Sequence, residues 1–222
     1  MGVRGITALA GFGGAATTVA SVALYFVYAG PPPAENVLTR GFISLVTFAC
    51  LMVFMAGLNT LVKRDGVAGD FALSLSQTAG VLFVGVSLVA LANEAGVAFA
   101  APDGSLDPTT DGPLAAANIL FHGSIKRLLT AVYLVSMSSA LLRSGVLPRW
   151  VARLGLLIGA VNVAFIPAMF FGTDVTRFYS AHGWGNSALT GSLVIWWVLA
   201  ASLALLRPAQ AAPTARPAPA GA

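Results

Sequence analysis

The chain has 222 residues, of which 57% are hydrophobic and only 9% charged, with a mean hydropathy of +0.85. Soluble domains carry about 25% charged residues, so a soluble globular domain is excluded. The net charge of +4 and pI near 9.7 do not mark a nucleic-acid binder, because the basic residues are scattered between apolar runs and form no patch.

Ile6 to Val27 is a continuous apolar run, preceded by Arg4 and ended by Tyr28-Ala-Gly-Pro31-Pro-Pro33. It is longer than the roughly 7–15-residue core of a secretory signal and reads as an uncleaved first span. The second span is expected from about Phe42 to Val62, closed by Lys63-Arg64-Asp65, and the third from Phe71 to about Asn93, with Glu94 at its far end. Phe99 to Pro113, with Asp103, Asp107 and Asp111 among Pro and Gly, reads as a loop. The fourth span covers 115–142. It is followed by a basic turn, Arg143 to Arg153, and by a fifth span from Leu154 to Gly172. In that span Gly155-Leu-Leu-Ile-Gly159 is a small-xxx-small pattern that permits close helix contact. Pro167 predicts a kink there, with Asn162 placed to take up a freed backbone group. Thr173 to Asn186 is a polar and aromatic loop, and Leu189 to Leu206 is the sixth span. Residues 1–207 thus form one all-α, six-span membrane domain, and the Ala/Pro-rich stretch 208–222 reads as a disordered cytoplasmic tail.

Loop charges set the orientation. With the N-terminus inside, the inner segments carry Arg4, Lys63, Arg64, Arg143, Arg149, Arg153, Arg207 and Arg216, whereas the outer loops carry only Arg40 and Arg177. The positive-inside rule therefore predicts both termini in the cytoplasm. The lone Cys50 lies within an apolar run and allows no intrachain disulfide. Histidine and cysteine spacings of metal-binding type are missing, and neither metal nor cofactor is expected.

The fourth span carries the chemistry. At about 100° per residue, Asn118, His122, Lys126, Thr130, Tyr133 and Ser136 fall within about 120° of arc, a polar stripe that must face protein or water. On the third span Ser76, Gly80, Ser87 and Glu94 share a face within about 40°. Two readings stay open. In the structural one, Glu94 pairs with Lys126 or Arg127 and locks the two spans, since intramembrane charges near helix ends pair or snorkel. In the other, His122, Lys126, Arg177 and His182 form the cationic wall of an outward-facing site for an anionic or amphipathic ligand. Arg127, about 100° from Lys126, is expected at lipid headgroups. A metal held by His122, His182 and Glu94 has suitable residue types, but Lys126 one turn from His122 would repel it.

The run Leu141-Leu-Arg143-Ser-Gly-Val-Leu-Pro148-Arg149-Trp150-Val-Ala-Arg-Leu-Gly155 resembles the turn between the fourth and fifth spans of an uncharacterised bacterial family of about six-helix membrane proteins, a domain-of-unknown-function group common in actinobacteria. The histidine early in the preceding span, His122, is similar too. The resemblance implies a fold and a bacterial cytoplasmic membrane location; it implies no activity and no catalytic residue. The expectation is a non-enzymatic protein of the lipid bilayer that binds or passes a small amphipathic or anionic molecule, or partners a second copy or another membrane protein. Its candidate ligand residues are Glu94, His122, Lys126, Tyr133, Arg177 and His182. The alternative is a membrane-embedded enzyme acting on a lipid or isoprenoid, with Glu94 as acid and His122 and Tyr133 assisting.

Overall fold

The structure is a computed structural model and describes residues 2–28, 30–64, 70–108, 111 and 114–207. The stretch 208–222, Asp65 and Pro113 lie outside the described residues. Every regular element among the described residues is helical, and six helices are long and apolar enough to cross a membrane: α1 (Val3–Tyr25), α2 (Ala34–Val62), α3 (Phe71–Ala100), α4 (Ala115–Ser144), α5 (Arg149–Phe171) and α6 (Gly185–Leu206). This is a multi-pass membrane bundle. Phe42, Phe71, Leu157 and Trp196, each more than half exposed, present the apolar outer surface that lipid covers.

Helix ends follow local chemistry, and in two places they move the expected boundaries. The α2 helix begins at Ala34, directly after Pro33 at its N-cap, and not at Phe42. The triple proline sets the start because its locked φ suits the entry to a helix. Arg40 therefore lies within α2 and not in a loop. The α3 helix runs to Ala100, so Glu94 sits six residues inside it, about 9 Å from its end, rather than at the end. At its start, Asp70 caps α3 by accepting from the backbone N–H groups of Ala72 and Leu73, and also takes a 2.8 Å ion pair from Arg143. Gly145, at φ +70°, ends α4 in the left-handed conformation, and Pro148 caps α5.

Without a hydrophobic drive between helices in lipid, close packing holds the bundle together. Gly155 and Gly159 lie on the contact with α4: a Cβ at Gly155 would stand 2.1 Å from Ser138 Oγ and 2.7 Å from Trp197 Nε1, and one at Gly159 2.7 Å from Val135 Cγ2. At the centre Trp197 is fully buried, edge-on to Phe54 and Tyr133, and its Nε1 donates to the Val151 carbonyl at 3.1 Å. Its neighbour Trp196, 64% exposed, faces outward.

Three helices change pitch at the end of the bundle opposite the chain termini. The α4 helix passes through a π turn at Phe121–Ile125, with Gly123 off helical geometry, and α6 begins with another at Gly185–Leu189. The α5 helix tightens to 3₁₀ from Ile166 to Phe171, where Pro167 denies the α-helical bond. Asn162 does not serve that break: its Nδ2 donates back to Ile158 O, and its Oδ1 accepts from Arg127.

Candidate functional site

The polar stripe of α4 faces inward. Asn118, Thr130, Tyr133 and Ser136 are buried, as are Ser76, Ser87 and Glu94 on the facing side of α3. The carboxylate of Glu94 is the focus. Its Oε1 lies 3.0 Å from His122 Nε2 and accepts from Asn118 Nδ2 at 3.4 Å, and its Oε2 accepts from the Tyr25 hydroxyl at 3.1 Å. A carboxylate only accepts, so the contact puts the His122 proton on Nε2. Three donors from two further helices, α1 and α4, therefore satisfy one buried acid from α3.

The expected lock between Glu94 and a cation of α4 is not what forms. Among the described residues no ion pair joins Glu94 to Lys126 or Arg127. Arg127 is also not at the lipid headgroups; it is buried, and donates from Nη1 to Asn162 Oδ1 at 3.3 Å and from Nη2 to the His122 carbonyl at 3.1 Å. The π turn explains this, because it turns the guanidinium inward and leaves a backbone carbonyl to be satisfied. Ser124 makes a matching stitch, donating to the Ile166 carbonyl at 2.8 Å where α5 tightens, and the Tyr179 hydroxyl donates to the Ala164 carbonyl.

Lys126 is half-buried, its Nζ 5.2 Å from the centroid of Phe83 and 5.9 Å from that of Phe48. Both distances are within cation–π range. Below it, toward the chain termini, a crevice of about 50 Å³ runs between α2, α3, α4 and α6, with Leu51, Met55, Phe83, Thr130, Tyr133 and Trp197 among its walls.

No known protein family, curated protein or solved structure matches this chain.

The other candidate residues divide. His182, in the loop before α6, is half-buried, and its imidazole is held below the ordinary range first by burial and then by the nearby His122. Arg177 is not brought to the cluster; it lies exposed, its Nε 3.3 Å from Asp174. Tyr133 is not at Glu94 either. It lies eleven residues beyond His122, about 16 Å along the axis, in the core against Trp197. Among the described residues no three His, Cys, Asp or Glu side chains converge as a metal would require.

Two residues outside the expected set belong here, Arg40 among them in place of an outer loop. Tyr25 ends α1, and Arg40, only 3% exposed, lays its guanidinium 3.7 Å over the Tyr25 ring. Its Nε and Nη2 meet no acceptor among the described residues. Arg40 also lines a hollow of about 100 Å³ with Tyr25, Tyr28, Gly30, Pro32 and Asp107. The signal for Arg40 was the triple proline, which announces a helix start ahead of it; no local signal marks Tyr25, whose partner is 69 residues away.

Proposed function

We propose that this chain is a multi-pass protein of a bacterial cytoplasmic membrane, with both termini cytoplasmic, that binds a small amphipathic anion in the half of its bundle that holds Glu94. The positive-inside bias supports the orientation, and the resemblance of the Arg143–Gly155 turn supports the bacterial setting. One observation carries the ligand class: the buried carboxylate of Glu94 is committed to Tyr25, Asn118 and His122, which leaves Arg40, Lys126 and Arg127 in the same half of the bundle without it as an ion-pair partner. Cations held away from water at that depth are costly unless an anion or hydrogen-bond acceptors meet them. Arg127 has acceptors, Arg40 shares its hollow with Asp107, and among the described residues Lys126 meets only aromatic faces.

The test is thermal stability of the purified protein in nanodiscs, with anionic, neutral and cationic amphiphiles of equal chain length. A ligand that binds the folded state at about 100 times its Kd adds about 2.7 kcal/mol. The anionic amphiphiles are expected to raise Tm and the others not. An equal response to all three overturns the reading.

A further inference from the structure

The geometry points to a specific seat for that anion: we infer that the crevice beneath Lys126 holds the start of an alkyl chain whose anionic head, a carboxylate or phosphate, pairs with the Lys126 ammonium. This rests on the reading above and gives it a place and a polarity. The argument begins with the register of three helices. The α2 and α4 helices run in the same direction and α3 runs against them, so Phe48, Phe83 and Lys126 stand at one level. One turn further toward the termini come Leu51 and Thr130, and a turn beyond those Met55 and Tyr133. That level is the middle of the bundle, fourteen residues from the start of the 29-residue α2, and a charged head at Lys126 has an apolar slot directly below it that runs parallel to the helices.

Two observations favour an amphiphile over the plainer outcome, a lysine that snorkels to headgroups. The Phe48 and Phe83 rings hold the ammonium over the protein, at the top of the slot, and Phe83 both faces the ammonium and walls the slot. No carboxylate of the described residues forms an ion pair with Lys126. The slot is small, about 50 Å³, so it takes the first part of a chain and leaves the rest to lipid. This favours a single-chain amphiphile with its head at the top of the slot.

Trp197 forms part of the wall and is fully buried, whereas Trp150, Trp184 and Trp196 are each at least half exposed. Replacing those three with Phe leaves Trp197 as an internal reporter. A brominated fatty acid should quench it saturably in nanodiscs, and the methyl ester of the same acid should not. Lys126→Gln should weaken that quenching about tenfold, the loss of one charge-assisted contact, and Lys126→Arg should restore most of it. A brominated alkyl phosphate competing with the fatty acid identifies the shared anionic chemistry; preference for one of the two identifies the natural head. Equal quenching by acid and ester, unchanged in Lys126→Gln, would mean partition from bulk lipid and would overturn the seat. If anionic amphiphiles still raise Tm in that case, the anion binds elsewhere in this half of the bundle and only the seat is wrong. If they do not, the functional reading fails with it.

Discussion

Tyr25 and Glu94, 69 residues apart, meet through a 3.1 Å hydrogen bond that ties the end of α1 to the interior of α3. His122 binds the same carboxylate from α4 at 3.0 Å, so one acid gathers three helices. The coupling this creates is specific. In a double-mutant cycle Glu94→Ala and His122→Ala should couple by about 0.5–3 kcal/mol, as residues in one network do, whereas Glu94→Ala and Lys126→Met should add within about 0.5 kcal/mol. Chemical unfolding in mixed micelles measures both, and strong coupling to Lys126 would restore the ion-pair lock that the sequence suggested.

The contact between α4 and α5 should resist even one added methyl group. Gly155→Ala places a carbon against Ser138 Oγ and Trp197 Nε1, and should cost about 1–3 kcal/mol. Gly96 in α3 has nothing within 4 Å of an added Cβ. Gly96→Ala should therefore be neutral or stabilising by up to about 1 kcal/mol. Thermal stability in detergent separates the two, and equal effects would refute the close contact.

The six spans could be read from apolar run length, and the inward polar faces from a 100° wheel, because both depend on neighbours in sequence. The register at helix ends was less legible. Counting α2 from its first strongly apolar residue, Phe42, left Arg40 in a loop, although Pro33 already fixes the start at Ala34. The partner of Glu94 was misassigned for a different reason. Charge suggests Lys126 or Arg127, but the π turn at Phe121–Ile125 resets the rotation of everything after it relative to Asn118 and His122. A wheel of constant pitch cannot contain that turn, and Tyr25 enters from a helix whose placement only the fold decides.

Acid should weaken the fold through His182. Burial and the neighbouring His122 depress its pKa below 6.5, while Asp107 and Glu94 oppose the shift. A depressed histidine takes up a proton more readily when unfolded. Stability from this group is thus present above pH 6.5 and is lost as pH falls below it. Tm measured from neutral to mildly acidic pH should fall less in His182→Gln than in the native chain. Parallel profiles would show that His182 does not contribute.

Orientation has its own measurement. In a Cys50→Ala background, a cysteine at Ser105 should react with an impermeant thiol reagent on intact cells, and one at Ser144 only after lysis. The reverse pattern would place the Glu94 cluster in the cytoplasm, and any ligand would then arrive from inside.

The changes of pitch in α4, α5 and α6 also have a mechanical consequence. From Lys126 to Ser144, Arg149 to Phe165 and Thr190 to Leu206 these helices are regular, and a regular ladder moves as a rod. Past those points side chains replace ladder bonds: Arg127 on the His122 carbonyl, Ser124 on that of Ile166, Tyr179 on that of Ala164. Side-chain stitches can open one at a time, whereas a ladder opens by turns. Amide protons at Phe121–Ile125 should therefore exchange faster than those of Leu134 to Leu141 in the same helix. The bundle would then act as a sleeve, stiff where the chain enters and leaves it and elastic at the mouth.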